Sequence, residues 1–368
     1  MSTSRLIPHK RTPRAELSAI VEQDIGEVAR FIAVQSGRTR ESVESHLRWF
    51  LLENPARRPL DPLGYALRSS DQLVGCILCS PQFFRFGNEN ILLMGSSSFY
   101  VDADHRGHGG RIFLQYSRLG NQRPLFGTSA NADAAALWKA AGASPIPNSD
   151  IELFGVLRWP PVAEEFAHRR NAGRLLTRFA GGSISNLAGL IRRLKIDPAA
   201  SESLQRLTSA EQVTDLRVND LPIRSPSTKL TALRDAPYIR WRYFSGRDET
   251  TAVFAFRSRQ PDQEILVTVN QRLRGYRAQI NTLNVLDVYP EVSATVWLRI
   301  VAALATRYGN LVDAIVLRSQ DEERQKLFCA RGFQRRTFDA PNGWFLDKAK
   351  LLPTKDWYPV PADGDGLI

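Results

Sequence analysis

The segment Val101-Asp102-Ala103-Asp104-His105-Arg106-Gly107-His108-Gly109-Gly110-Arg111 carries the strongest chemical signal in the 368-residue chain. It follows an apolar run and opens an amphipathic stretch marked by Ile112, Phe113, Leu114 and Tyr116. Gly107, Gly109 and Gly110 let successive backbone N–H groups approach a ligand closely. A helix N-terminus adds positive potential there, and Arg106 adds a full charge. This combination suits an anion such as a pyrophosphate. A tight turn ending in a capping glycine would use the same residues, and that alternative stays open. The spacing is not that of a P-loop, because no Gly-Lys-Ser/Thr follows, nor of the Gly-x-Gly-x-x-Gly dinucleotide fingerprint. Asp102, Asp104, His105 and His108 could in principle hold a metal, but the glycine-rich flanks favour an anion, and no metal is expected.

Two cysteines, Cys76 and Cys79, are three residues apart. They fall in an alternating apolar strand, so their thiols face opposite sides of a sheet, and no second pair completes a zinc site. Buried structural thiols are expected.

The elements that must position the glycine loop follow from periodicity. Helices are predicted over Asp24–Gln35 and Glu41–Leu52, and strands over Gly64–Arg68, Leu73–Pro81 and Asn90–Val101. After the loop come a helix, Gly110–Leu119, a strand, Pro124–Ser129, a helix, Asn131–Ala141, and a strand, Ile151–Leu157. The second half repeats this order. Leu47-Arg48-Trp49 is echoed by Ile239-Arg240-Trp241 at an offset of 192, and Val101-Asp102 by Leu286-Asp287 at 185. Ser129 with Leu137-Trp138-Lys139-Ala140-Ala141-Gly142 is echoed by Ser319 with Leu327-Phe328-Cys329-Ala330-Arg331-Gly332 at 190. Three echoes in order at nearly constant offset indicate duplication. The expected division is a basic tail over 1–14, an α/β unit over 15–160, a basic helical connector over 161–205, a second α/β unit over 206–350, and a C-terminal tail over 351–368.

The succession of a strand, Val-x-x-x-x-Arg-Gly-x-Gly, a helix, a strand, Asn131 and a helix ending in Lys-x-x-Gly resembles the acyl-CoA N-acyltransferase (GNAT) superfamily. The paired arrangement is similar to the Fem peptidyltransferases. The run Asp235 to Tyr243 is similar to acetyltransferases found with bacterial exopolysaccharide genes. The fold this implies is α/β: two tandem acyltransferase-like domains with mixed central sheets flanked by helices. The implied co-substrate is acetyl-CoA or another acyl-CoA. Its pyrophosphate would lie at Arg106, Gly107, His108, Gly109, Gly110 and Arg111. Its pantetheine would run along Phe99 and Val101, with Asn131 beside the arm. The resemblance is broken in three places. Arg111 stands where the family has Gly or Ala, and Trp138 stands where a Tyr often protonates the departing thiolate. Tyr289-Pro290-Glu291-Val292 replaces the glycine loop in the second half, so that unit is expected to have lost coenzyme A binding.

Attack of an amine on a thioester needs a proton acceptor, an N–H for the carbonyl oxygen, and a proton for the thiolate. Ser97, Tyr100 and Asp102 are the candidate catalytic groups, Asp102 being equally suited to capping the loop. Trp241, Tyr243 and Phe244 could form core or a sugar platform. The expected activity is acyl transfer to an amino acceptor, such as an amino sugar of a cell-surface polysaccharide. A non-catalytic scaffold and an aminoacyl-tRNA-dependent transferase are the alternatives.

Charge narrows the partners. The formal net charge is +11, of which Phe166–Ile196 supplies +7 without a single Asp or Glu. Leu175, Leu176 and Phe179, then Leu187, Leu190, Ile191 and Leu194, recur there at helical spacing. Such basic amphipathic helices could rest on an anionic membrane surface or pack between the units. With most of the charge in one strap, nucleic acid is not an expected partner. No run is long and apolar enough to span a bilayer, Met1–Arg14 shows no secretory pattern, and the cysteine usage fits a reducing compartment. A cytoplasmic protein, in part at the inner face of a membrane, is expected, and nothing in the sequence fixes an oligomeric state.

Overall fold

The computed structural model describes residues 15–169, 204–208, 212, 229–245, 250–259, 262–275, 279–352 and 357. The expected basic amphipathic helices at 175–194 lie outside the described residues. The described residues form two mixed sheets flanked by helices, as the α/β reading requires. The first half runs β1 (Ala15–Ala19), α1 (Ile25–Ser36), α2 (Arg40–Leu47), β2 (Gly64–Ser69), β3 (Gln72–Phe86) and β4 (Glu89–Val101). It continues with α3 (Gly109–Ser117), β5 (Leu125–Gly127), α4 (Ala132–Ala140), β6 (Ser144–Pro145), β7 (Ile151–Val156) and α5 (Trp159–Arg169). The second half runs β8 (Leu204–Leu207), β9 (Thr231–Ala232), α6 (Ala236–Arg240), β10 (Thr251–Arg259), β11 (Asp262–Arg274), β12 (Ile280–Tyr289) and α7 (Ala294–Tyr308). It closes with β13 (Ala314–Leu317), α8 (Glu322–Ala330), β14 (Gln334–Thr337) and β15 (Trp344–Leu346).

Strand order shows how the halves are joined. The first sheet is ordered β1-β2-β3-β4-β5-β15-β6, with β9 added beside β3; the second is β14-β7-β13-β12-β11-β10-β8. Thus β7 pairs with β13 and β14, while β15, from the far end of the chain, pairs with β5 and β6. Each half gives its last strand to the other's sheet. The boundaries drawn at 160 and 206 therefore cut across the pairing: Ile151–Val156 belongs to the second sheet and Trp344–Leu346 to the first. Gly155 in β7 is fitted to this exchange. An added Cβ there would lie 2.4 Å from the ring of Phe333, so the Gly332-Phe333 corner can close only over a glycine.

The hairpin β3–β4 is the longest antiparallel pair of the first sheet, running from Gly75↔Val101 to Phe86↔Glu89. The strand continues through Pro81, beyond the predicted end, for a specific reason. The Met94 amide donates to Pro124 and its carbonyl accepts from Tyr116, so Met94 and its partner Pro81 do not exchange rungs. Pro81 faces the side where β2 has already ended at Leu78, and no ladder bond is lost there. The thiols behave as the alternation requires: Cys76 lies in the core beneath α1 and α2, and Cys79 in the core beneath α3 and α4. Burial pushes the Cys76 thiol up to about 12 and raises Cys79 also, so both stay protonated and inert. Among the described residues no helix is long and apolar enough to cross a membrane, and no cluster of His, Cys, Asp and Glu could hold a metal ion.

Candidate functional site

The first sheet opens between β4 and β5. These parallel strands pair only at Met94↔Leu125 and Gly95↔Phe126, after which they diverge. β4 runs on to Val101 with its β5-facing edge unpaired by sheet. A bulge sits just beyond the split: Leu78 faces Ser97 and Cys76 faces Tyr100, so Ser98 and Phe99 together oppose Ile77. Ser98 takes a φ of +47°, a left-handed conformation that turns the strand edge at this point. The result is a cleft of about 700 Å³, walled by β4 on one side and α4 on the other, with the start of α3 at its mouth.

The glycine segment is more regular than a loop. Ala103–His108 forms a short 3-10 turn that runs directly into α3 at Gly109. None of Gly107, Gly109 and Gly110 has positive φ. Their value is space: an added Cβ at Gly107 or Gly110 meets nothing within 4 Å, and one at Gly109 only grazes Phe99 and Val101. Uncrowded backbone at a helix start, with Arg106 lining the cleft beside it, leaves room for an anion to approach the first turn of α3. The turn reading also holds in part: Gly109 caps the 3-10 turn, its N–H donating to the Arg106 carbonyl, and the same residue begins α3.

Eight of the predicted site residues line this cleft: Ser97, Phe99, Tyr100, Val101, Arg106, Gly109, Gly110 and Asn131. Four do not. Gly107 and His108 lie in the 3-10 turn at its rim, and Arg111 approaches the His108 ring at 3.5 Å. Asp102 accepts from Gln35 Nε2 at 2.7 Å, and its carbonyl accepts from the His105 amide, so it anchors the turn as a cap would. Asn131 is the N-cap of α4, its side chain accepting from the Ala134 amide at 2.9 Å. That bond fixes the wall of the cleft, which Asn131 itself lines.

Residues without a local motif complete the site. Gln35 reaches the cleft from the last turn of α1, and Ile77 lies opposite the bulge. Gly127, at the end of β5, marks the floor together with Trp138. Tyr116 lies behind them: its hydroxyl donates to Met94 at 2.8 Å and approaches Phe126 at 3.4 Å, pinning both strands where they part. Burial holds that phenol well above its usual range, which makes it a brace rather than a proton donor.

The second sheet has the same split but not the same space. β12 and β13 pair from Thr282↔Ala314 to Asn284↔Val316 and then separate, and β12 has its own bulge, Val269 facing Val285 and Thr268 facing Asp287. Asp287 thus matches Tyr100 in register rather than Asp102. It is buried and engaged by Arg234 at 2.9 Å and by the Tyr243 hydroxyl. α8 is capped by Asp321 as α4 is by Asn131. Three residues on, where the first half has Ala134, the second has Arg324. Its buried guanidinium reaches the Val292 carbonyl at 3.3 Å and stacks 5.0 Å above Trp297, across the gap from α8 to α7. Trp241 and Tyr243 are core, not a platform on the surface.

Several solved structures share this fold. A conserved protein of Enterococcus faecalis described as a probable N-acyltransferase superposes with a TM-score of 0.53 at 10% identity, over 91% of this chain and 73% of that one. A GCN5-related N-acetyltransferase from Anabaena variabilis gives 0.57 at 10% identity, over 90% and 72%. The N-myristoyltransferase of Saccharomyces cerevisiae with bound myristoyl-CoA gives 0.53 at 10% identity, over 94% and 80%. The fold is that of the GCN5-related N-acyltransferases. No protein-family model and no curated protein matches the chain by sequence. The similarity is one of architecture, expected from the glycine segment and the repeat, and it spans both halves.

Proposed function

We propose that the protein is an N-acyltransferase that moves an acyl group, acetyl in the first instance, from acyl-CoA to an amino acceptor. The observation that carries this reading is the cleft itself: an uncrowded helix start beside Arg106 leads onto a bulged edge of β4 that pairs with β5 only as far as Gly95. The open α3 start with Arg106 would take the pyrophosphate, and Phe99, Val101 and Asn131 the arm. Coenzyme A supplies the activated thioester. Backbone N–H groups at the Ser97–Phe99 bulge would stabilise the carbonyl oxygen as the amine attacks. Trp138 has no transferable proton and Tyr116 is bonded away. Proton transfer would therefore fall to Tyr100 or Ser97, or to water held near the Asp102–Gln35 pair. The second sheet would act as a structural or acceptor-side partner, since Arg324 occupies the corresponding gap.

The acceptor proposed is an amino sugar of a cell-surface polysaccharide, and the site of action the cytoplasmic face of a membrane approached by the basic strap at 166–196. The test is direct. Acetyl-CoA is expected to raise the melting temperature, and Arg106→Ala to remove most of the shift. No shift with any acyl-CoA would refute the reading.

A further inference from the structure

The floor of the cleft is closed by aromatic rings in a way that bears on which acyl group fits. A ligand held by its phosphates at Gly107–Gly110 extends between β4 and α4 toward the point where β4 and β5 part. At that point the indole of Trp138 closes against Gly127. A Cβ at Gly127 would lie 3.0 Å from Trp138 Cζ2 and 3.0 Å from Ser96 Oγ. Behind the indole, Phe113 packs edge-on at 5.2 Å and Tyr116 at 5.9 Å. All three rings are at most 3% exposed. Tyr116 cannot swing aside, because its hydroxyl is tied to Met94. The rest of the α4 wall is lined by Asp133, Ala134, Ala136 and Leu137. Trp138 is the largest α4 side chain lining the cleft, and, unlike the half-buried Leu137, it is itself a buried member of the core shared by α3 and α4.

We infer that Trp138 sets the length of the acyl chain, admitting acetyl and excluding medium chains. The inference rests on the acyl-CoA reading above. Each methylene beyond the thioester must displace a ring from a packed cluster, and a single misfit methylene already changes discrimination by about tenfold or more. Removing the indole vacates its own volume in front of Phe113 and Tyr116, apolar space that would take several methylenes of a saturated chain.

The experiment is calorimetric titration of the full chain with free coenzyme A, acetyl-CoA and octanoyl-CoA. The unmodified protein is expected to bind acetyl-CoA about tenfold more tightly than octanoyl-CoA, or better. Trp138→Ala is expected to reverse that order while leaving free coenzyme A within about threefold, a change far smaller than a misfit methylene produces. Should Trp138→Ala fail to fold, Trp138→Phe keeps an aromatic ring and is expected to shift the ratio in the same direction by a smaller factor. An unchanged ratio in a folded variant that still binds free coenzyme A overturns the inference alone, and means the chain leaves by Ile77 and Gln35. Failure of the unmodified protein to bind free coenzyme A overturns the acyl-CoA reading, and this inference with it.

Discussion

Trp49 and Trp241, 192 residues apart, exchange hydrogen bonds: each indole N–H donates to the other's backbone carbonyl, at 2.8 and 2.9 Å. The rings stack with centroids 5.4 Å apart, and Arg242 lies over both. Each Trp sits in a π-helical turn, Arg48–Leu52 in one half and Trp241–Ser245 in the other. The repeat detected at this offset is thus the seam itself, with equivalent residues meeting across a local twofold relation. Trp49→Phe or Trp241→Phe leaves one buried carbonyl without a donor and is expected to lower unfolding free energy by about 1–3 kcal/mol. Because the two bonds share one stack, the double variant should lose measurably less than the sum. Urea unfolding of the four proteins checks this, and strict additivity would show that the halves do not couple here.

Gly110 offers a variant that separates ligand binding from stability. It lies in the first turn of α3, without positive φ, and nothing stands within 4 Å of an added Cβ. Gly110→Glu places a carboxylate at a helix N-terminus, where it is favourable, and replaces glycine in a helix. The free protein is expected to melt at the same temperature or slightly higher. The stabilisation by acetyl-CoA should disappear, since the carboxylate enters the space proposed for the pyrophosphate. Thermal melts with and without acetyl-CoA decide the matter.

The order of strands and helices around the glycine segment was legible because each element carries its own periodicity and the duplication supplied a check. The exchange of β7 and β15 was not. Both are short, apolar strands, and nothing local distinguishes pairing with β13 from pairing with β5. Only Gly155, shaped to receive Phe333, bears a trace of it. In the site, Arg106, Gly109 and Gly110 were visible as a motif, and Asn131 by its place before α4. Gln35 and Ile77 were not, because they reach the cleft through tertiary packing from elements with no motif of their own. Asp102 and Asp287 were paired by sequence offset. Register shifts that pairing: the bulges in β4 and β12 set Tyr100, not Asp102, opposite the place of Asp287.

His46 predicts how stability responds to acid. Its ring stacks on Phe50 at 5.7 Å and meets Trp49 edge-on at 5.2 Å, and its buried Nε2 has no hydrogen-bond partner. Burial first, then Arg38 and Arg242, lower its pKa from 6.5 to about 3. Between those values the unfolded chain holds a proton that the folded one does not, so stability falls as pH drops from 6.5 toward 3. The limiting slope for one group is about 1.4 kcal/mol per pH unit. His46→Phe keeps the stack and removes the titration. It should lose about 2 kcal/mol less than the unmodified protein between neutral and moderately acid pH, as measured by urea unfolding at each. Parallel pH profiles would show that the imidazole does not titrate between the two states.

Arg324 accounts for why two similar halves should bind one ligand. α4 and α8 begin alike, with Asn131 and Asp321 each capping the third residue on, Ala134 in one and Arg324 in the other. A methyl group at that position leaves the first cleft open. A guanidinium there spans to the Val292 carbonyl and Trp297, closing the second. The loop that would face it, Tyr289–Val292, also lacks the glycines that leave space at the start of α3. Titration is therefore expected to find one acetyl-CoA per chain, lost entirely in Gly110→Glu and retained in Arg324→Met, whose apolar chain of similar length keeps the gap filled. Two equivalent sites would show that Arg324 does not close the second cleft, and loss of binding in a folded Arg324→Met would place the ligand in the second sheet and reverse the roles assigned to the two halves.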